Sequence, residues 1–204
     1  MRIQVFVLTY IAYTIMHSLR TAYSYSKTYF KVEYDFSPTY LAVLDSSIYL
    51  AMGVGFFLRY FFLNKKDIIF SYFTTGMAFI IAFALFPFLS FVGALDKSSA
   101  EWVSIILMII YGFFQMNYWP VSFLVMTDYF TNEEDGCLIG FWTTAAGLGN
   151  ILGYFFCGLL ILNLHEPWQV PLFILVAILF FCTLFVYLFV KRPTKAKDQG
   201  YLEL

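Results

Sequence analysis

Six stretches of more than twenty mostly apolar residues, about 3–28, 39–63, 68–92, 102–127, 137–162 and 168–190, fill almost the whole sequence. A helix needs about 20 such residues to cross a bilayer, and a water-soluble fold has no place for six of them in succession. The breaks between them are chemical. Ser37-Pro38 sets an N-cap before a proline in the first helical turn. Asn64-Lys65-Lys66-Asp67 is a polar turn short enough to force an antiparallel hairpin. Asp96-Lys97-Ser98-Ser99 and Thr131–Gly136 read as polar loops, and His165-Glu166-Pro167 interrupts the last pair. The expectation is an all-α membrane protein: a six-helix bundle over 1–190, then a polar tail over 191–204. Met1-Arg2 is too short for the basic region of a signal peptide, and no small-residue cleavage site follows.

Composition closes the alternatives. Hydrophobic residues make up 61% and charged residues 12% of the 204, against about a quarter charged in soluble domains. A net charge of −1 leaves no electrostatic footprint for nucleic acid. Cys137, Cys157 and Cys182 stand far apart among apolar neighbours, without metal-ligand or redox spacing. No metal, no cofactor and no nucleophile–base constellation is indicated, so no enzyme is expected. With six spans, Arg2, Arg59, Lys65, Lys66, Lys191, Arg192, Lys195 and Lys197 fall on one side and Lys27, Lys31 and Lys97 on the other. Eight against three places both termini on the cytoplasmic or matrix-equivalent side, in an endomembrane or the mitochondrial inner membrane.

Two charges lie well inside the spans. Arg20 costs about 2.5–3.5 kcal/mol at a bilayer centre unless it is paired or faces water, and Asp45 is similarly placed. Counting depth from the span ends sets them level, so a structural ion pair between Arg20 and Asp45 is expected. On the fourth span Gln115, Asn117, Tyr118 and Trp119-Pro120 form a polar side that fits either a pocket lining or interhelical hydrogen bonding. Ala145, Gly149 and Gly153 recur every four residues on the fifth, the spacing of a close helix crossing.

Several segments in order resemble the organophosphate:phosphate antiporters of the major facilitator superfamily. The first span reads Leu8-Thr9-Tyr10, then His17-Ser18-Leu19-Arg20-Thr21-Ala22-Tyr23-Ser24, then Lys27. Leu44-Asp45 and Gly53 follow on the second and Gly76-Met77 on the third. Gly112, Gln115 and Trp119-Pro120 mark the fourth, and Gly136, Gly140, Trp142, Gly147, Gly149-Asn150-Ile151 and Gly153 the fifth. The match is nearest the eukaryotic sugar-phosphate exchanger and glycerol-3-phosphate transporter branch. It implies the N-terminal six-helix half of a twelve-helix fold, built from two inverted three-helix repeats. It also implies that Arg20 binds phosphate, with Lys27, Gln115 and Trp119 as further substrate contacts. Lys27 among its Tyr and Ser neighbours fits an interface anchor better than an anion guide. The chain departs from the pattern in three places: Arg20-Thr21 replaces Arg-Lys, 58–66 lacks the Gly…Asp/Glu-Arg signature, and the loop after the fourth span is acidic.

Two functions fit these residues. A half-length bundle whose gating loops have changed suits a non-transporting accessory subunit of a larger membrane assembly, such as a respiratory-chain complex, and this is the expectation carried forward. The alternative is a transporter half for phosphate or organophosphates, working as a homodimer or with a separate second half. Its partners would be membrane lipids and either other membrane subunits or a second copy.

Overall fold

The computed structural model describes residues 2–62, 67–127, 129 and 135–190. The lysines at 65 and 66, the acidic stretch at 131–134 and the 191–204 tail lie outside the described residues. Every described regular element is helical: α1 (Arg2–Glu33), α2 (Pro38–Phe62), α3 (Ile68–Phe91), α4 (Lys97–Thr127), α5 (Asp135–Cys157) and α6 (Gln169–Phe189). α5 continues through a widened, π-type turn at Gly158–Asn163.

The helix starts follow capping chemistry. Ser37 Oγ accepts from Tyr40 N at 3.0 Å ahead of α2, and Asp67 Oδ1 accepts from Phe70 N at 2.9 Å ahead of α3. Asp96 caps α4, its backbone N–H donating 3.0 Å to Ser99 Oγ while its carbonyl accepts from Ala100. This reciprocal cap draws Lys97, Ser98 and Ser99 into the helix rather than leaving them as loop. Gly93, at φ 67, closes the end of α3, and the amide that follows it bonds back to Leu89 O. Between α1 and α2, Lys97 Nζ donates to Asp35 Oδ2 at 2.9 Å, which holds this exposed carboxyl below its ordinary range.

Five helices, α2 to α6, are long and apolar enough to cross a membrane. α1 is the longest at 32 residues and is not among them: Gln4, His17, Arg20 and Lys27 add to its many hydroxyls. Its place in the bundle explains this. Thr9, Thr14, Ser18 and Thr21 are buried and return their hydroxyls to carbonyls one turn back, at 2.8–3.1 Å. Helix polarity that lipid would penalise is thus satisfied inside the protein.

Helix neighbours follow a simple rule. α1 packs on α5 and α6, α4 packs on α2 and α3, α3 packs on α6, and α1 touches α4 more sparsely. Exchanging α1 with α4, α2 with α5 and α3 with α6 maps each pairing onto another in the set. The two three-helix units run in opposite directions, since α1 starts where α4 ends. This is the inverted-repeat plan. The neighbour order α2–α4–α1–α5 makes a layer of four, backed by α3 and α6.

Glycine sets the two long crossings of that layer. A Cβ on Gly149 would collide with the Thr14 carbonyl and lie 2.7 Å from His17 Cβ, and one on Gly153 would lie 2.5 Å from Ser18 O. In the matching α2·α4 crossing, a Cβ on Gly112 would lie 2.5 Å from Ile48 O and one on Gly55 2.7 Å from Phe113 O. Ala145, one turn before Gly149, is fully buried. At the end away from Arg2, Glu33 ties three helices: its carboxylate accepts from Ser90 at 3.0 Å and Trp168 Nε1 at 2.6 Å.

Candidate functional site

The outer faces of α3 and α6 expose apolar side chains such as Ile81, Phe88, Ile178 and Phe181. The open side of the four-helix layer differs, because polar and charged groups sit there at mid-span. Arg20 on α1 is half-buried, and its Nη2 donates 3.0 Å to the hydroxyl of Tyr49 on α2. The same guanidinium lies 5.5 Å from the Tyr49 ring centroid. Its charge reaches Tyr13 and His17 on the same helix and Tyr111 on α4.

Asp45 belongs to a different cation. Lys27 Nζ lies 2.5 Å from Asp45 Oδ2, with side-chain exposures of 19% and 36%. Lys27 also stands 5.8 Å from the Tyr23 ring. The expected Arg20–Asp45 pair is therefore replaced by Lys27–Asp45. The reason is the length of α1. Its helix runs to Glu33, so Arg20 lies thirteen residues, roughly 20 Å, from that end, whereas Asp45 lies seven residues, about 10 Å, from Pro38. Lys27, six residues from Glu33, matches that level. Among the described residues Arg20 has no carboxylate within salt-bridge distance.

Around these charges are buried polar atoms without partners. Tyr23 Oη, Tyr111 Oη and Gln115 Oε1 have no hydrogen bond, although the three residues are 5%, 1% and 3% exposed. They lie on α1 and α4, where those helices meet sparsely. Most buried polar atoms in proteins are satisfied, so these orphans call for a partner such as water or a ligand. The polar side expected on α4 divides. Gln115 and half-buried Trp119, stacked on Phe123 at 5.8 Å, stay together, while Asn117 turns to the α2 crossing and Tyr118 bonds Tyr72 of α3.

On the α5 flank Thr21 Oγ1 meets Asn150 Oδ1 at 2.9 Å, and Tyr10 Oη meets Thr144 Oγ1 at 3.1 Å. No group of His, Cys, Asp or Glu among the described residues is placed to hold a metal ion.

The model of the Major Facilitator Superfamily matches residues 9–203. The chain belongs to this superfamily. Among curated members it is similar to putative glycerol-3-phosphate transporter 2 of Arabidopsis thaliana, at 26% identity over 98% of this chain and 41% of that protein. The glucose-6-phosphate exchanger SLC37A2 of Xenopus laevis is 27% identical over 72% of this chain and 29% of its own length. Sugar phosphate exchanger 3 of Homo sapiens is 23% identical over 73% of this chain and 35% of its own. The chain thus spans less than half the length of the curated relatives it matches.

In a major-facilitator frame the open polar side of α1, α2, α4 and α5 is the side that a second bundle would face. Tyr49, Tyr111, Tyr23 and Asn150 were not legible as site residues from motif spacing. Each had a signal: Tyr23 and Asn150 fall inside the family-like segments, and Tyr49 is one helical turn from Asp45 and Tyr111 one turn from Gln115, so each of the latter two shares a face with a marked residue.

Proposed function

We propose that this chain forms one six-helix half of a phosphate or organophosphate exchanger, with Arg20 as the residue that receives the phosphoryl group. One observation carries the reading: Arg20 bonds to a neutral phenol on the open side of the bundle, while the nearest intramembrane carboxylate is occupied by Lys27. A fixed guanidinium inside a membrane protein needs a counter-charge, and its planar fork matches phosphate geometry. The names of the relatives, which are exchangers and transporters of sugar and glycerol phosphates, support the same chemistry.

The accessory-subunit expectation loses its footing here. A retired site would neutralise its arginine internally, and Arg20 has no internal carboxylate among the described residues. Lys27 in turn is engaged by Asp45, which fits an anion guide only when that pair opens. A second bundle would complete the cavity and supply the second cation a dianion calls for. Alternating access would then rock the two bundles about the site. The surplus of Lys and Arg orients both termini to the cytoplasmic or matrix side.

The test is exchange of labelled inorganic phosphate against glucose 6-phosphate in proteoliposomes, with binding measured in parallel. Exchange or saturable binding that Arg20→Gln reduces at least tenfold supports the proposal. Binding or exchange that Arg20→Gln leaves unchanged, or a purified, folded chain that binds neither compound, overturns it.

A further inference from the structure

One turn from Arg20 on α1, His17 is half-buried, and across the α1·α5 crossing Asn150 is exposed midway along α5. An exposed amide at that depth is costly against lipid and calls for water or a polar ligand. One end of the amide is fixed. Thr21 Oγ1 holds it at 2.9 Å and is itself anchored 3.1 Å from the His17 carbonyl. Among the described residues the amide's Nδ2 has no hydrogen-bonded partner, and the His17 ring lies beside the same side chain. Because Gly149 and Gly153 bring α5 onto the α1 backbone, the spacing between Asn150 and this strip of α1 is set by helix contact.

We infer that His17 and Asn150 form a neutral subsite that reads the hydroxyl groups of an organic phosphate whose phosphoryl group sits at Arg20. This rests on the proposed role of Arg20. Amide and imidazole each offer both a donor and an acceptor, which suits alcohol groups whichever way the amide is turned. Neither side chain brings a carboxylate or ammonium group, so the subsite does not compete with Arg20 for the phosphoryl group. Inorganic phosphate and methyl phosphate have no hydroxyl-bearing body to place there. A site built to bond a hydroxyl discriminates strongly against an analogue lacking it, because its own polar groups are then left unpaired.

The test is calorimetric binding of glucose 6-phosphate, methyl phosphate and inorganic phosphate to the purified chain in nanodiscs. Glucose 6-phosphate is expected to bind at least tenfold more tightly than methyl phosphate. Asn150→Leu should bring that ratio to about one, and Thr21→Val, which removes the hydroxyl holding the amide while keeping its shape, should narrow it severalfold. Thr21→Val also serves if Asn150→Leu does not accumulate. Arg20→Gln should weaken both ligands together. Equal affinities in the unmodified chain, or variants that weaken all three ligands by one factor, overturn the neutral subsite and leave the Arg20 reading standing. Absence of all binding overturns that reading and this one with it.

Discussion

At the scale of single residues, Lys27 and Asp45 join two helices that pack little against each other, so the pair acts as a strut between α1 and α2. Its partial exposure puts it between a surface pair, worth under about 1 kcal/mol, and a buried one, whose rupture costs about 3–5 kcal/mol. Lys27→Met or Asp45→Asn alone should therefore lower stability by about 1–2 kcal/mol. The double variant should recover most of that, since neither charge is then left unpaired. Thermal unfolding in detergent completes the cycle, and strictly additive losses would show that the two side chains do not act as a pair. The sequence identified both residues as noteworthy but matched the wrong cation to Asp45. Apolar span boundaries mark where lipid contact ends, not where a helix ends. Phe30 is fully buried and α1 runs to Glu33, so its last turns carry Lys27 level with Asp45.

At the scale of helices, what the sequence made legible was governed by local chemistry. Ser37 and Asp67 cap where polar residues meet apolar runs, and the Gly149–Gly153 spacing marks a surface that meets backbone. The matching α2·α4 crossing was harder to read because its two glycines, Gly55 and Gly112, sit on different helices, and no single-helix spacing reveals them. The geometry distinguishes contact glycines from free ones. Gly149→Ala and Gly112→Ala should each lower stability by about 2 kcal/mol or more, because backbone cannot yield as a flexible side chain can. Gly149→Leu should prevent assembly of the bundle. Gly147→Ala, where a Cβ meets nothing within 4 Å, should be neutral or stabilising by up to about 1 kcal/mol. Comparing accumulation and melting of these four variants tests the crossings directly. Equal behaviour of Gly147→Ala and Gly149→Ala would mean that α1 and α5 do not approach as closely as described.

At the scale of the whole molecule, the bundle has two kinds of exposed face, and the difference between them is what makes a transport reading physical. The backs of α3 and α6 show Ile81, Phe88, Ile178 and Phe181, which suit lipid tails. The open side of α2, α4, α1 and α5 shows Tyr49, Arg20, Asn150 and Thr144, which lipid tails cannot satisfy. Sequence periodicity blurred this distinction, because α1 carries polar groups toward α5 and the open side alike. A small, membrane-impermeant thiol reagent separates the two faces, since it reacts only with thiolates that water reaches. In a background where Cys137, Cys157 and Cys182 are replaced by Ala, Thr144→Cys should be modified, and a substrate phosphate ester should slow its modification. Ile81→Cys and Ile178→Cys should remain unreactive although both positions are exposed on the isolated bundle. Reaction at the α3 and α6 positions with none at Thr144 would place water on the apolar backs and lipid on the polar layer. Such a result would leave no aqueous path to Arg20, and no route by which the bundle could receive a phosphate from solution.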